Sequence, residues 1–177
     1  MLDWIKVAAQ AVYDRRMRDR LIGFRPVVMC LIQATDADTF LFVCPTAKPH
    51  AWMLPQEGIE PGESVEAAAI RGLQAELGLA EEKVHYRRSA WLGRKAISEQ
   101  KGERDIQHSL LGMRGKSYYG ALIKMPMANA VVLNQAELCN HEWLTLDQIL
   151  ERLPTNSQRK QELIRAIFKQ LLKVDNL

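Results

Sequence analysis

The chain has 177 residues, 47% of them hydrophobic and 25% charged, which suits one globular domain with a real core and leaves no room for a second catalytic domain. Its formal charge of +3 is mildly basic, compatible with nucleotides or RNA without demanding either. Three cysteines, Cys30, Cys44 and Cys139, show neither an even count nor C-x-x-C spacing, which argues against a disulfide framework and against a zinc site, and no apolar run approaches a membrane span. A cytoplasmic protein with buried thiols is expected.

Residues 2 to 21 read as an amphipathic helix, with Leu2, Ile5, Ala9, Val12 and Leu21 on one stripe and four arginines crowding the last turns. This gives an N-terminal helical segment over 1–22, docked on a domain that occupies 23–177. Asp14 and Asp19 interrupt the basic run, so a membrane-surface or RNA-binding arm is the weaker reading.

Val27 to Gln33 and Thr39 to Cys44 are β-rich runs separated by Asp36-Ala37-Asp38, the pattern of a hairpin. Residues 84 to 92 and Ser117 to Lys124 are two further strands, and the glycine-containing stretch from Arg94 to Lys116 between them reads as a substrate loop. Pro61-Gly62 is a turn, Ser64 an N-cap, and the alanine-rich run from Val65 to Leu77 a helix that Gly78 stops. Capping boxes at Thr145/Gln148 and Thr155/Gln158, with Pro154 between them, open two closing helices. Leu163, Ile164, Ile167, Phe168, Leu171 and Leu172 line one side of the last, as a core face or a homodimer contact. Helices on both sides of a sheet are expected, an α/β chain of the α+β type.

The run from Leu54 to Leu79, LPQEGIEPGESVEAAAIRGLQAELGL, carries the chemistry. Its spacing Glu63, seven residues, Arg71, then Leu73, Glu76, Gly78 and Leu79 resembles the Nudix box, G-x5-E-x7-R-E-U-x-E-E-x-G-U with U aliphatic. His50-Ala51-Trp52 with Leu54-Pro55-Gln56, and Phe24-Arg25-Pro26 near the start, are similar to the branch of that family that hydrolyses RNA 5′ pyrophosphates and dinucleoside polyphosphates. The resemblance covers Gly23 to Leu153 and implies a Nudix-type α-β-α sandwich with a mixed sheet.

The box is degenerate. Family members place three glutamates in R-E-U-x-E-E around Mg²⁺ or Mn²⁺; here two of those positions hold Gly72 and Ala75, and the leading glycine is Glu57. The resemblance therefore implies Glu76, Glu137 and Glu57 as catalytic carboxylates, with Glu76 and Glu137 as metal ligands. Glu63, Arg71 and Gly78 are expected to shape the motif. Mg²⁺ or Mn²⁺ is the expected cofactor of an active protein, and an inactive one need bind none. Because positions 72, 75 and 76 share one helix face, the paired change Gly72→Glu with Ala75→Glu is expected to rebuild a three-carboxylate cluster.

Arg25, Lys48 and Arg114 are candidate phosphate contacts, His50 a candidate cleft residue, and Trp52 and Tyr118 candidate stacking platforms. Each has a plainer reading as a solvated cation or a core aromatic. Two functions follow. One is metal-dependent hydrolysis of a nucleoside diphosphate-linked substrate or an RNA 5′ end, impaired by the lost glutamates. The other is a nucleotide- or RNA-binding module that no longer cleaves.

Overall fold

A computed structural model describes residues 14–96, 113–153 and 158–173. The elements among these residues are, in order, α1 (Arg15–Leu21), β1 (Phe24–Ala34), β2 (Phe40–Pro45), β3 (Gln56–Gly58), α2 (Val65–Leu77), β4 (His85–Ala96), β5 (Gly115–Met125), β6 (Leu138–Leu144), α3 (Leu146–Arg152) and α4 (Gln158–Leu172), with a 3-10 turn at Glu81–Lys83. The strands form one six-stranded mixed sheet in the order β4-β5-β1-β2-β6, with β3 paired to β1. β1 runs parallel to β5 and antiparallel to β2 and β3.

β1 is buried along nearly its whole length, as a central strand covered on both faces must be. Its alternate residues feed two cores. Val28, Cys30 and Ile32 meet Ala68, Ala69, Leu73 and Leu77 of α2 on one face. Met29 and Leu31 pack with Phe40, Phe42, Ile149, Ile164, Ile167, Phe168 and Leu171 on the other. The apolar side of α4 is thereby core, with Phe168 edge-on to Phe40 at 4.6 Å between ring centres. The α-β-α layering and the mixed sheet are as the sequence implies.

Differences from the expected elements have local causes. Asp14 is extended and accepts from the Arg16 N–H, so it caps a helix that starts at Arg15; a single helix through residues 2 to 21 does not pass it, and residues 1–13 lie outside the described residues. β4 and β5 extend to Ala96 and back to Gly115, shortening the expected substrate loop, whose remainder at 97–112 lies outside the described residues. β6 was not expected as a strand. It edges the sheet with Asn140, His141 and Glu142 in mid-strand, too polar a run to announce itself. The capping box at Thr145 and Gln148 is present, while Pro154 and Thr155 fall outside the described residues. Among the described residues no helix is long and apolar enough to cross a membrane.

α2 is built as its sequence predicts: the Ser64 hydroxyl accepts from the Ala67 N–H, and Gly78 at φ 62° closes the helix while its N–H donates to the Gln74 carbonyl. A Cβ on Gly78 would also lie 3.0 Å from the Val132 Cβ. Gly78→Ala is therefore expected to cost about 1–2 kcal/mol, read as a lower denaturation midpoint in urea; an unchanged midpoint would show that neither the backbone angle nor the Val132 approach is restrictive.

Candidate functional site

The site gathers where β3, α2 and the turn before β6 meet. Its frame is an ion pair. Arg71 donates from Nε to Glu63 Oε1 at 2.9 Å and from Nη2 to Oε2 at 2.9 Å, and Nη2 also reaches the Gly58 carbonyl at 2.7 Å. The Glu60 N–H donates to Glu63 Oε2 at 2.8 Å. This fork joins β3, the following turn and α2, and the guanidinium holds the Glu63 carboxyl below the usual carboxylate range.

Glu76 is half-buried on α2, and burial, reinforced by Glu137 and Glu57, pushes its carboxyl up to about 7. Three elements thus bring negative charge to one place. The turn carrying Glu137 is held against α2 by backbone bonds: the Val132 N–H donates to the Leu77 carbonyl at 2.9 Å and the Asn134 N–H to that of Glu76 at 2.9 Å. The Asn134 amide reaches Glu137 Oε1 at 3.4 Å, and the Thr46 N–H donates to the Glu137 carbonyl at 2.8 Å. Asn134 therefore sets the spacing of two carboxylates.

Glu57 leans from β3 onto α2. Its Oε1 accepts from the Gly58 N–H at 2.6 Å and its Oε2 lies 3.5 Å from Arg71 Nη1. Gly72 is buried directly beneath it: a Cβ there would sit 2.6 Å from the Glu57 Cβ and 3.0 Å from its Cγ. Here the structure corrects the sequence reading. A glutamate at position 72 does not simply add to the existing site, because the stem of Glu57 fills its space and would have to be displaced. Position 75 is different, since Ala75 is exposed.

The expected substrate residues divide. Arg25 lies with its guanidinium across the position that a Cβ on Gly58 would take, one residue from Glu57. In the sheet register it stands opposite Lys116, which stands opposite Lys95, and burial together with these two cations lowers the Lys116 ammonium. Tyr118 is half-buried beside the second core, and burial raises its hydroxyl. One face of the Trp52 ring is covered by the Arg152 guanidinium, 5.0 Å from its centre, so a stacking partner has only the other face. Lys48 and His50 are exposed in the turn after β2, whose Thr46 hydroxyl is tied to the Gln135 carbonyl at 3.0 Å. Arg114 is exposed, its N–H donating to the Gly23 carbonyl at 2.6 Å.

The donor chemistry fits a hard divalent cation: carboxylate oxygens from Glu57, Glu76 and Glu137, whose mutual repulsion a cation would relieve. Among the described residues no three His, Cys, Asp or Glu side chains are placed to hold one ion in this conformation. Holding it would need side-chain rotation toward Glu76.

Two residues at and behind the site escaped the sequence reading. One is Asn134. The other is Asp19, fully buried, which accepts from Arg94 Nε at 2.6 Å, from the Ser117 hydroxyl and from the Tyr119 hydroxyl at 3.2 Å. Read as an interruption in a basic surface, it is the anchor of α1 on the sheet. No local pattern marks Asp19, whose partners are distant in sequence; Asn134 bonds Ala136 and Glu137 within its own turn, and only its backbone bond to Glu76 is long-range.

A family model described as the NUDIX domain matches residues 23–167. Nudix hydrolase 25 of Arabidopsis thaliana is 40% identical over 72 residues, 40% of this chain and 39% of that protein, so the match spans well under two thirds of the relative's length. Among solved structures, a binary complex of the C. elegans Ap4A hydrolase superposes with a TM-score of 0.58 at 21% identity over 84% of this chain and 99% of that one. The E. coli dihydroneopterin triphosphate pyrophosphohydrolase gives 0.61 at 16% identity over 85% and 99%. At such identities these two speak to the fold. The family model, running from the residue before β1 into α4, carries the assignment: the chain belongs to the Nudix family.

Proposed function

We propose that this chain is a cytoplasmic, metal-dependent pyrophosphohydrolase acting on a nucleoside diphosphate-linked substrate or an RNA 5′ end. The observation that carries the reading is the packing of two elements onto the box helix that bears half-buried Glu76, the Glu137 turn by backbone bonds and β3 by the stem of Glu57 over Gly72, on a frame set by Glu63 and Arg71. Glu76 and Glu137 would hold Mg²⁺ or Mn²⁺, and Glu57 is the third carboxylate. The cation, when bound, neutralises the scissile phosphates and positions water. Arg25, whose guanidinium lies against Gly58, the residue after Glu57, and which stands in register with Lys116, is the phosphate contact in this reading. Three free thiols accord with a reducing compartment.

A screen of nucleoside diphosphate derivatives, diadenosine tetraphosphate and 5′-triphosphorylated RNA with Mg²⁺ or Mn²⁺ tests this reading. Metal-dependent turnover of one class is expected. That no three-ligand group is placed among the described residues favours a second reading, a nucleotide- or RNA-binding module, and binding without turnover across the panel would select it. Position 75 supplies a graded check. Ala75 is exposed, so Ala75→Glu adds the missing box carboxylate at a solvent-facing position and is expected to raise Mg²⁺-dependent turnover by about tenfold or more. An unchanged rate at saturating Mg²⁺ would mean that position 75 lies outside the chemistry of this chain.

A further inference from the structure

We propose that glycine and glutamate have changed places across the β3–α2 contact, so that Glu57 delivers from the strand the carboxylate that the helix lacks at position 72. The inference rests on the hydrolase reading for the role of that carboxylate, and on packing alone for the exchange. The packing is direct. A Cβ on Gly72 would lie 2.6 Å from the Glu57 Cβ, 3.0 Å from Cγ and 3.5 Å from Oε2, so positions 57 and 72 cannot both carry a side chain unless the strand or the helix shifts. At the observed spacing one of the pair is glycine. The box pattern has glycine first and glutamate second, and this chain has the reverse.

The exchange accounts for two oddities at once. A glycine inside a helix is unfavourable by about 1 kcal/mol relative to alanine, and nothing in α2 itself asks for one. Close approach of Glu57 does. A glutamate stem laid across a helix is equally unusual unless its carboxylate has somewhere to go, and here Oε1 is fixed by the Gly58 N–H at 2.6 Å while Oε2 lies between Arg71 and the space above position 72. The carboxylate is thus preorganised on the face of α2 that bears Glu76. By this count the site has lost one box glutamate, at position 75, and has moved another.

The test is a reciprocal swap in the full chain, comparing E57G, G72E and E57G/G72E by melting temperature, by the rise in melting temperature on adding Mn²⁺, and by turnover of the best substrate from the screen. G72E alone should overpack the contact and lower the melting temperature by several degrees. E57G alone should lose most of the Mn²⁺ response and about 10²-fold or more in turnover. The double variant should recover both the melting temperature and the Mn²⁺ response of the starting protein. If G72E does not fold, G72A presents the same Cβ and should show the same loss and the same relief by E57G. E57Q, which keeps the packing and removes the charge, should lose the Mn²⁺ response without losing stability. A double variant whose melting temperature and metal response equal the sum of the single losses would overturn the exchange, as would an E57Q protein with an undiminished Mn²⁺ response. Failure of every protein, the starting one included, to turn over substrate would remove the hydrolase reading and leave the swap to be decided by the two thermal measurements.

Discussion

Glu76→Gln is expected to lower metal-dependent turnover by about 10²- to 10⁴-fold, the range for losing a positioned catalytic carboxylate, and at the same time to make the protein more stable above pH 7. The second effect follows from the first site property. Burial, Glu137 and Glu57 raise the Glu76 carboxyl from the ordinary 4.5 to about 7, so the native state holds that proton more tightly than the unfolded chain. Stability is therefore highest while Glu76 is protonated in both states, falls as pH rises from about 4.5, and has lost the full increment once pH passes 7. Glutamine is neutral throughout and loses nothing. Because Glu76 is only partly screened from water, the gain for the variant at pH 8 should be roughly 1–2 kcal/mol, shrinking to about zero near pH 4.5. Melting curves from pH 4.5 to 8.5 in chelator read it directly, and Mg²⁺ should close the gap by binding the native site of the starting protein. A difference in melting temperature that does not vary with pH would show that Glu76 is an ordinary solvated carboxylate.

What was legible in the sequence was whatever is encoded locally. The Ser64 cap, the Gly78 stop and the Thr145/Gln148 box depend on residues within one turn of each other, and each forms as its spacing predicts. The central strands announce themselves because burial on both faces demands continuous apolar runs. β6 does not, since it lies at the sheet edge with solvent-facing polar residues, and its place is set by pairing with β2. The family and its α-β-α layering followed from the box. The condition of the box did not, because it depends on a contact between positions 57 and 72. Read along the helix alone, Gly72 is a vacancy; read across the contact, its space is occupied.

Asp19→Ala should be the most damaging single change away from the carboxylates, at roughly 2–4 kcal/mol, because it strands several groups at once. The carboxylate is fully buried and ion-paired with Arg94, while the Ser117 and Tyr119 hydroxyls donate to it from β5. Removing it leaves a guanidinium on β4 without its counter-charge and two hydroxyls that have lost an acceptor. It also loosens α1, whose Arg16 and Arg20 side chains donate to the backbone carbonyls of Glu63 and Ile59 at either end of the turn that leads into the box helix. A loss confined to stability would lower the melting temperature and leave turnover at 20 °C unchanged per folded molecule. The route through Glu63 makes a second effect expected: the turn holding the Glu63–Arg71 pair should become more mobile, seen as faster amide hydrogen exchange across residues 59–64 than in a control variant of equal instability on α4, such as Ile167→Val or Ile167→Ala. Equal exchange in the two variants would restrict Asp19 to docking α1 and separate that helix from the site.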